Sequence, residues 1–498
     1  MSTFIKRYSA KNGGTVIQVV HKRGRIVVKT THIGTAHTED DLNILIAVAK
    51  NIIRSTQQQM DLFPPKPDAV GMVMERSYSK LLWDTLCNAY CCLGFDVLND
   101  MVFRQLVIAR LIEPTSKLDT IRVLSEIGQA PTSNTEIHRC LRRIVFDNYR
   151  SIASTCCFRH TSPKSLSLLL YDVTTLYFET QQEDNYRRPG LSKERRLEPQ
   201  ITVGLLVARD GFPLEIQSFE GNRAEVKTIM EILSVFKTRY GLDELTVCAD
   251  AAMLSSGNIQ ALEDAGYHYI IGSRIAKTPY EIAEYIKEPG VELLDGQIFD
   301  TLQSMNTGKK TERVKRRVIY QYKKDRAGLD LRNINKLLDK AQRMVDGETE
   351  FKHNRFLKVD DAIKTINYAL VAESRLKAGI KGYVTDLDIP AREVIDSYHQ
   401  LFQVERSFRM SKSDLKARPV FHHKRDSIEA HLTVVFVALA IARYIEARAM
   451  VSIKRFIRTI RPVQTGVVRI NGKPYIVDPL VSADAKKLLG ALEAKCGS

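Results

Sequence analysis

Three acidic residues spaced along the chain, Asp172, Asp250 and Glu405, are of the type that holds metal ions for phosphodiester cleavage. Mg²⁺ prefers oxygen ligands and is usually bound by one or two carboxylates, water and substrate phosphate oxygens. Two such ions about 4 Å apart can stabilise both the attacking and the leaving oxygen of an in-line displacement. We therefore predict that the three carboxylates converge on one catalytic site, where they ligate two Mg²⁺ or Mn²⁺ ions.

Each of these residues also has a commoner structural explanation when it is considered alone. An aspartate at the end of a strand is often a turn residue or a helix cap. Glu405 could form an ordinary ion pair with Arg409, four residues further along the same predicted helix. The combination of the three residues with the order of the surrounding elements favours the metal site.

A long helix is predicted from Pro390 to a stop at Pro419, and it carries Glu405 between an aromatic and a basic residue. Tyr398, Glu405 and Lys412 are seven residues apart, so they fall close to one helix face with a drift of about 20° per step. The tyrosine could instead be a half-buried core ring, and the lysine a solvated surface charge. Arg406, Arg409, Lys416 and Arg418 surround this face and are predicted to contact DNA phosphate.

The segments that carry the two aspartates have the order β-β-β-α-β. A continuous apolar run ends directly before Asp172 and is typical of a strand that is buried on both faces. Asp210-Gly211 is a favoured hairpin turn between the next two strands. The predicted elements are strands over residues 166–171, 201–208 and 213–219, a helix over 225–240 and a strand over 245–250. This order places one aspartate on the first strand and one on the fourth.

The remaining sequence predicts further units on both sides of these strands. A hairpin is predicted over residues 15–31, then a helix over 38–53 and a proline-containing linker over 57–68. Residues 77–150 have helical periodicity and form either a DNA-end-binding region or a helical scaffold with a solvated basic face. The predicted domains are 1–60 (hairpin and helix), 61–160 (helical, DNA ends), 161–275 (first catalytic part), 276–375 (insertion), 376–450 (second catalytic part) and 451–498 (C-terminal region).

The charge balance favours a polyanionic partner. The 74 Lys and Arg residues exceed the 58 Asp and Glu residues, which gives a formal net charge of +16, and such an excess attracts nucleic acid through counterion release. No G-x-x-x-x-G-K-[ST] segment supports a nucleotide-driven motor, and no His-Glu-x-x-His zinc motif occurs. The longest apolar stretch, residues 432–442, is too short to span a membrane and predicts a buried core helix. We expect a protein of the cytoplasm without a membrane partner, associated with the bacterial nucleoid.

The residues around Glu405 resemble a known signature. The segment Tyr398-His-Gln-Leu401-Phe-Gln-Val-Glu405-Arg-Ser-Phe-Arg-Met-Ser-Lys412 is similar to the Tyr-Arg-Glu-Lys pattern of DDE-type insertion-sequence transposases. Leu401 stands where that family has Arg, so one expected contact to DNA phosphate is missing. The likeness covers roughly residues 160–450 and includes the segments around both aspartates, and residues 109–117 resemble one branch of the same family.

This resemblance implies an α/β fold: an RNase H-like mixed sheet flanked by helices, interrupted by a largely β insertion, with a mostly helical N-terminal region preceded by a β-hairpin. It implies metal-dependent cleavage at transposon ends and attack of the freed 3′ hydroxyl on target DNA. Asp172, Asp250 and Glu405 would ligate the metals, while Tyr398 and Lys412 would hold the DNA strand end. The implied partners are the terminal inverted repeats and target DNA, both double-stranded, bound by a homodimer. Two alternatives stay open: a DNA-binding descendant without strand-transfer activity, and a host nuclease of the same fold.

Overall fold

The protein forms two compact units, Met1–Met72 and Val73–Ser498. The computed structural model describes residues 2–10, 14–56, 72–130, 132–162, 166–178, 183–190, 198–223, 225–251, 255–273, 275, 278–288, 290–307, 312–350, 353–360, 363–417, 424–470 and 472–493. The linker predicted over residues 57–68 lies outside these ranges, as does Arg418.

The first unit is a small antiparallel sheet with one helix. The predicted hairpin is confirmed, and a third strand that was not predicted pairs with it. The apolar residues that alternate along the central strand meet the helix, so Ile17, Val19, Ala36 and Ala49 form a core of their own. The elements are β1 (Ser2–Ser9), β2 (Thr15–Arg23), β3 (Ile26–Ala36) and α1 (Glu39–Thr56).

The second unit begins with one short strand and then a helical region, as the periodicity of residues 77–150 predicts. Asp100 caps the second of these helices, since its carboxylate accepts a hydrogen bond from the Phe103 amide at 3.0 Å. The elements are β4 (Met72–Tyr78), α2 (Lys80–Cys92), α3 (Met101–Ile112), α4 (Lys117–Glu126), α5 (Asn134–Phe146) and α6 (Tyr149–His160).

An eight-stranded mixed sheet forms the centre of the second unit, with the order β10-β11-β14-β9-β8-β5-β6-β7. Strands β5, β8 and β9 are parallel to one another through the β5–β8 and β8–β9 pairings, and the other pairings in this sheet are antiparallel. The strands are β5 (Leu169–Tyr177), β6 (Gln200–Ala208), β7 (Pro213–Glu220), β8 (Thr246–Ala249), β9 (His268–Ser273), β10 (Ile298–Asn306), β11 (Arg313–Tyr322) and β14 (Ile380–Thr385).

Helices cover both faces of this sheet, because its central strands are apolar on both sides. Leu169 and Tyr171 face a core that includes Ile232 and Phe236 of helix α7 (Glu225–Tyr240). Leu170 belongs to the other core, which includes the buried length of a long helix, Arg425–Ala449. That helix is long and apolar enough to cross a membrane by length and composition, but 94% of its apolar window is buried inside the protein. It is the core helix that the sequence predicts.

The region predicted as a largely β insertion is mixed, so this prediction is wrong. Its strands β10 and β11 extend the main sheet through the pairing of β11 with β14, which follows more than 50 residues later. Residues 324–345 and 368–376 of this region are helical. The other elements between β8 and β14 are α8 (Ser256–Asp264), α9 (Tyr280–Lys287), α10 (Lys324–Val345), β12 (Leu357–Asp360), β13 (Ile363–Ile366) and α11 (Tyr368–Leu376).

The helix predicted from Pro390 to Pro419 is divided. Helix α12 ends at His399 and α13 begins at Phe402, and between them the Leu401 amide bonds to the Tyr398 carbonyl at 3.0 Å in a tighter, three-residue turn. A π-helical turn, Met410–Asp414, follows α13. The remaining elements are α12 (Ala391–His399), α13 (Phe402–Arg409), α14 (Arg425–Ala449), α15 (Ile453–Ile460), β15 (Thr465–Ile470), β16 (Lys473–Val477) and α16 (Ala483–Glu493).

Candidate active site

The two aspartates lie side by side because of the register of β5 and β8. The last paired residues of these parallel strands are Tyr171 and Ala249, so Asp172 and Asp250 each follow by one residue. Neighbouring strands are about 4.8 Å apart, and residues at equivalent positions of parallel strands point to the same face. Asp172 is in the middle of β5 rather than at its end, since β5 continues to pair with β6 as far as Tyr177. The strand prediction was wrong on this point.

Glu405 reaches the same place from a helix. It lies in α13, which packs on β5 and β6. Asp172, Asp250, Glu405 and Tyr398 all line one cleft of about 240 Å³. Asp172 is half-buried, while Asp250 and Glu405 are exposed. The cleft therefore combines oxygen donors with access from solvent.

Tyr398 is buried beneath the cleft and contacts one of its carboxylates. The Tyr398 hydroxyl donates a hydrogen bond to Asp250 Oδ1 at 3.3 Å, and the Ala251 amide donates to the same oxygen at 2.6 Å. Burial, reinforced by the charge of Asp250, raises the pKa of Tyr398, so this hydroxyl keeps its proton. Among the described residues no donor bonds to Asp250 Oδ2, and the two donors on Oδ1 fix the direction in which Oδ2 points.

Close packing under the cleft requires a residue without a side chain. A Cβ built on Gly272 of β9 would lie 2.4 Å from the Tyr398 hydroxyl oxygen. The Tyr398 ring also packs against the ring of Tyr383, with 4.9 Å between the centroids. The position of the Tyr398 hydroxyl is thus determined by two neighbouring strands, β9 and β14.

The cleft contains a cation that the sequence patterns did not identify. Lys381 of β14 lines it, with its Nζ 4.3 Å from the centre of the Tyr398 ring. Burial and the nearby charge of Arg326 lower the pKa of Lys381, and the carboxylates of Asp250 and Glu405 act in the opposite direction. A lysine inside a strand has no characteristic spacing from the acidic residues, so only the sheet order brings it to this cleft.

The side chains of the cleft are suited to a divalent cation that prefers oxygen ligands, such as Mg²⁺. Its acidic donors are carboxylates, two of them exposed, and Mg²⁺ needs only one or two such ligands besides water and phosphate oxygens. Among the described residues, no three His, Cys, Asp or Glu side chains form a ready-made metal cluster. The three carboxylates share the cleft, and the set of metal ligands stays a prediction.

Of the basic residues predicted to bind DNA, Arg406, Arg409, Lys412 and Lys416 are described by the structure and do not line the cleft. Arg406 forms an ion pair with Glu446 at 2.6 Å. Arg409 is exposed on α13, Lys412 is half-buried in the π-helical turn, and Lys416 is exposed with a positive φ of 43°. The π-helical turn that begins at Met410 lies between Glu405 and Lys412 and changes the helical phase, so Tyr398 and Glu405 line the cleft and Lys412 does not.

Comparison with known proteins identifies a family. A family model described as "Transposase DDE domain" matches residues 163–441, more than half of the chain. Among solved structures, a piggyBac transposase synaptic complex with hairpin DNA matches with 9% sequence identity and a TM-score of 0.37, over 77% of this chain and 70% of that chain. No curated protein matches this chain.

Proposed function

Because the chain belongs to the transposase DDE domain family and is therefore a transposase, we propose that it cuts DNA at transposon ends and joins the freed 3′ hydroxyl to target DNA. The supporting observation is the shared cleft of Asp172, Asp250 and Glu405. These carboxylates would hold Mg²⁺ or Mn²⁺. When bound, such ions polarise the phosphodiester and activate the attacking oxygen.

The chain's own residues support this chemistry by fixing the carboxylates. The hydrogen bonds from Tyr398 and Ala251 to Asp250 Oδ1 favour a single orientation of that carboxylate. Such outer contacts commonly change metal affinity or activity by about 10- to 100-fold. Lys381, on the wall of the same cleft, adds positive charge where a phosphate would approach.

We also propose that the sheet is of the RNase H-like type. The order and direction of its strands support this: β5, β6 and β7 form an antiparallel meander, and β8 and β9 run parallel to β5 on its other side. In that arrangement the first strand, β5, and the fourth strand, β8, are neighbours. Asp172 lies in β5, and Asp250 directly follows β8.

The proposed partners are double-stranded terminal repeats and target DNA, bound by a homodimer. The net charge of +16 supports a polyanionic partner. Arg409, Lys412 and Lys416 follow Glu405 along the chain and are the proposed contacts to the strand end, with Tyr398 beneath it. Arg406 is a weaker candidate because its guanidinium pairs with Glu446; Arg418, outside the described residues, completes the proposed set.

The proposal is tested by separating cleavage from joining. The purified full chain is incubated with Mg²⁺ and a plasmid that carries its own gene with the flanking DNA, and the products are sequenced. A pre-cut end is then offered together with a second plasmid. We expect cleavage at the element's ends and insertion of the pre-cut end. Release of cut ends without insertion would indicate a nuclease, and binding without cutting would indicate an inactive descendant.

The carboxylates are tested by isosteric substitution. Asp172→Asn, Asp250→Asn and Glu405→Gln should each reduce cleavage by more than about 100-fold, beyond the usual effect of outer contacts. DNA binding should stay within a few fold, because the basic surface supplies most of it. Glu393→Gln, which changes an acidic residue of the neighbouring helix α12 outside the cleft, is the matched control. A variant that cuts at the normal rate would remove its residue from the site.

A further inference from the structure

A second, smaller cavity lies in the helical region, away from the residues of the acidic cleft. It has a volume of about 30 Å³ and is enclosed by α3, α4, α5 and α14. Its polar lining consists of Arg110, Thr115, Thr120 and His431, and the rest is apolar. A cavity of this size accommodates about one or two atoms as large as a water oxygen. It is too small for a base or a sugar.

Arg110 lines this cavity without a counterion. Among the described residues, none forms a hydrogen bond or an ion pair with its guanidinium, and burial alone lowers the pKa of Arg110 to about 10. The cavity's other polar groups already have protein acceptors: the Thr115 hydroxyl donates to Asp119, and the Thr120 hydroxyl donates to the Ser116 carbonyl.

The carboxylates nearest in sequence are bound to other arginines. Glu113, Asp119 and Glu126 all pair with Arg122. Arg461 pairs with Glu113 at 2.7 Å and with Glu126 at 2.5 Å. Arg110 is half-buried, and arginine offers five N–H donors in a planar fork that matches phosphate. Among the described residues, this guanidinium thus has no counterion at the wall of a cavity that accommodates one or two oxygen atoms.

Two neighbouring features favour an anion in this cavity. Thr115 and Thr120 flank the first turn of the ten-residue helix α4, whose N-terminal end carries partial positive charge. The His431 ring contacts the Ala417 carbonyl at 3.3 Å. This contact attaches the segment after the Glu405 helix, including the exposed Lys416, to the wall of the cavity.

We propose that Arg110 anchors a pocket that takes the non-bridging oxygens of one DNA backbone phosphate and so helps to position the DNA on the helical region. The proposal rests on the proposed function in so far as the phosphate belongs to DNA. A free inorganic anion would satisfy the same donors, and the experiment separates the two sources.

The first measurement is thermal unfolding of the full chain in inorganic phosphate and in chloride at equal ionic strength. Phosphate should raise the Tm of the wild type above its value in chloride, since a ligand that binds only the folded state stabilises it. Arg110→Gln should lose that difference while it unfolds cooperatively in chloride at a Tm no lower than that of the wild type. A lower Tm for Arg110→Gln in both salts would assign Arg110 a purely structural role and overturn the proposal.

The second measurement is the affinity for duplex DNA of random sequence over a range of salt concentrations. Arg110→Gln should weaken binding by roughly tenfold and reduce the slope of log K against log salt by about 0.9, the value for one phosphate contact. Arg332→Gln removes the same charge from an exposed position of α10 and should leave the slope unchanged. Equal effects of both variants would overturn the proposal, because they would reflect net charge alone.

The two measurements also separate this pocket from the active site. Neither depends on cleavage, so a chain that fails to cut DNA can still show the Arg110 effect, and the proposed function would then fail alone. A Tm increase in phosphate with an unchanged DNA slope would indicate a site for free anions and would contradict the assignment to DNA. Arg110→Lys, which keeps the charge but lacks the planar fork, should recover only part of the phosphate effect.

Discussion

Lys381 brings a positive charge to a cleft from which the expected arginine is missing. Leu401, at the position where related signatures have Arg, lines the cleft with an aliphatic side chain. Arg406 and Arg409, the nearest arginines in sequence, are not lining residues. Lys381 approaches from β14, a different element, and its Nζ lies over the Tyr398 ring. We infer that this lysine replaces the missing arginine as the cleft's phosphate contact.

Replacing this lysine tests that inference. Lys381→Met keeps the buried aliphatic stem and removes the charge, so we expect cleavage to fall by roughly 100-fold, as it does when one charge-stabilising donor is removed. Binding of long duplex DNA should change little because many other cations contribute to it. Lys336→Met, an exposed position of α10, is the matched control. Unchanged cleavage in Lys381→Met would show that another residue contacts the phosphate.

Gly272 and Tyr398 should depend on each other. Gly272→Ala places a methyl group 2.4 Å from the Tyr398 hydroxyl oxygen, so the ring must move and its hydrogen bond to Asp250 is lost. We expect cleavage to fall by about 10- to 100-fold, and Tyr398→Phe to show a similar loss. The double variant should be no worse than either single variant, because both remove the same contact.

Gly257 provides a control for this double-mutant cycle. A Cβ at that position of α8 meets nothing within 4 Å, so Gly257→Ala should cut DNA at the normal rate. Additive losses in the Gly272→Ala/Tyr398→Phe double variant would contradict the shared contact.

At the scale of elements, the sequence patterns located the strands of the site better than the path of the chain between them. The apolar runs and the Asp210-Gly211 turn predicted β6, β7 and β8 closely, because each depends on neighbouring residues. The pairing of β11 with β14 joins strands separated by more than 50 residues, and no local pattern specifies it. Lys381 was missed for the same reason. The break at Leu401 was missed because its residues are compatible with a continuous helix.

Asp100 joins three helices of the N-terminal helical region. Its carboxylate caps α3, accepts a hydrogen bond from Arg143 Nε of α5 at 3.0 Å and another from the Tyr149 hydroxyl of α6 at 3.1 Å. Burial by itself would raise the pKa of Asp100, but the Phe103 amide and the Arg143 guanidinium outweigh it, so the pKa is lowered. The folded protein therefore favours the charged carboxylate.

The lowered pKa of Asp100 gives a stability effect with a definite sign. Since the folded state holds fewer protons at this site than the unfolded state, the stabilisation is complete above the unfolded pKa of about 3.9 and is lost as the pH falls below it. Asp100→Asn should lower the unfolding free energy by roughly 1–3 kcal/mol at neutral pH. Denaturant unfolding should show this difference shrinking in acid, and a difference that grows in acid would contradict the assignment.

At the scale of the whole molecule, the acidic cleft and the Arg110 cavity belong to the same unit. The larger apolar core of residues 73–498 includes both α3, which carries Arg110, and α14. It also includes Tyr398 and Val404, which line the acidic cleft. One continuous core thus supports both proposed contacts with DNA, and their spacing is set by packed helices rather than by loops.

Because the second unit has its own core, we predict that residues 73–498 suffice for DNA cleavage. The described residues that line the acidic cleft all lie within residues 171–405, and the first unit has a separate core of Ile17, Val19, Ala36 and Ala49. A fragment that begins at Val73 should therefore unfold cooperatively and cut DNA in Mn²⁺, measured by calorimetry and plasmid cleavage, with Asp172→Asn in the same fragment as the inactive control. Loss of the first unit should affect DNA affinity rather than the cutting step, because it removes basic strands and none of the described residues that line the cleft. A folded fragment that binds DNA but does not cut it would show that the first unit completes the active site.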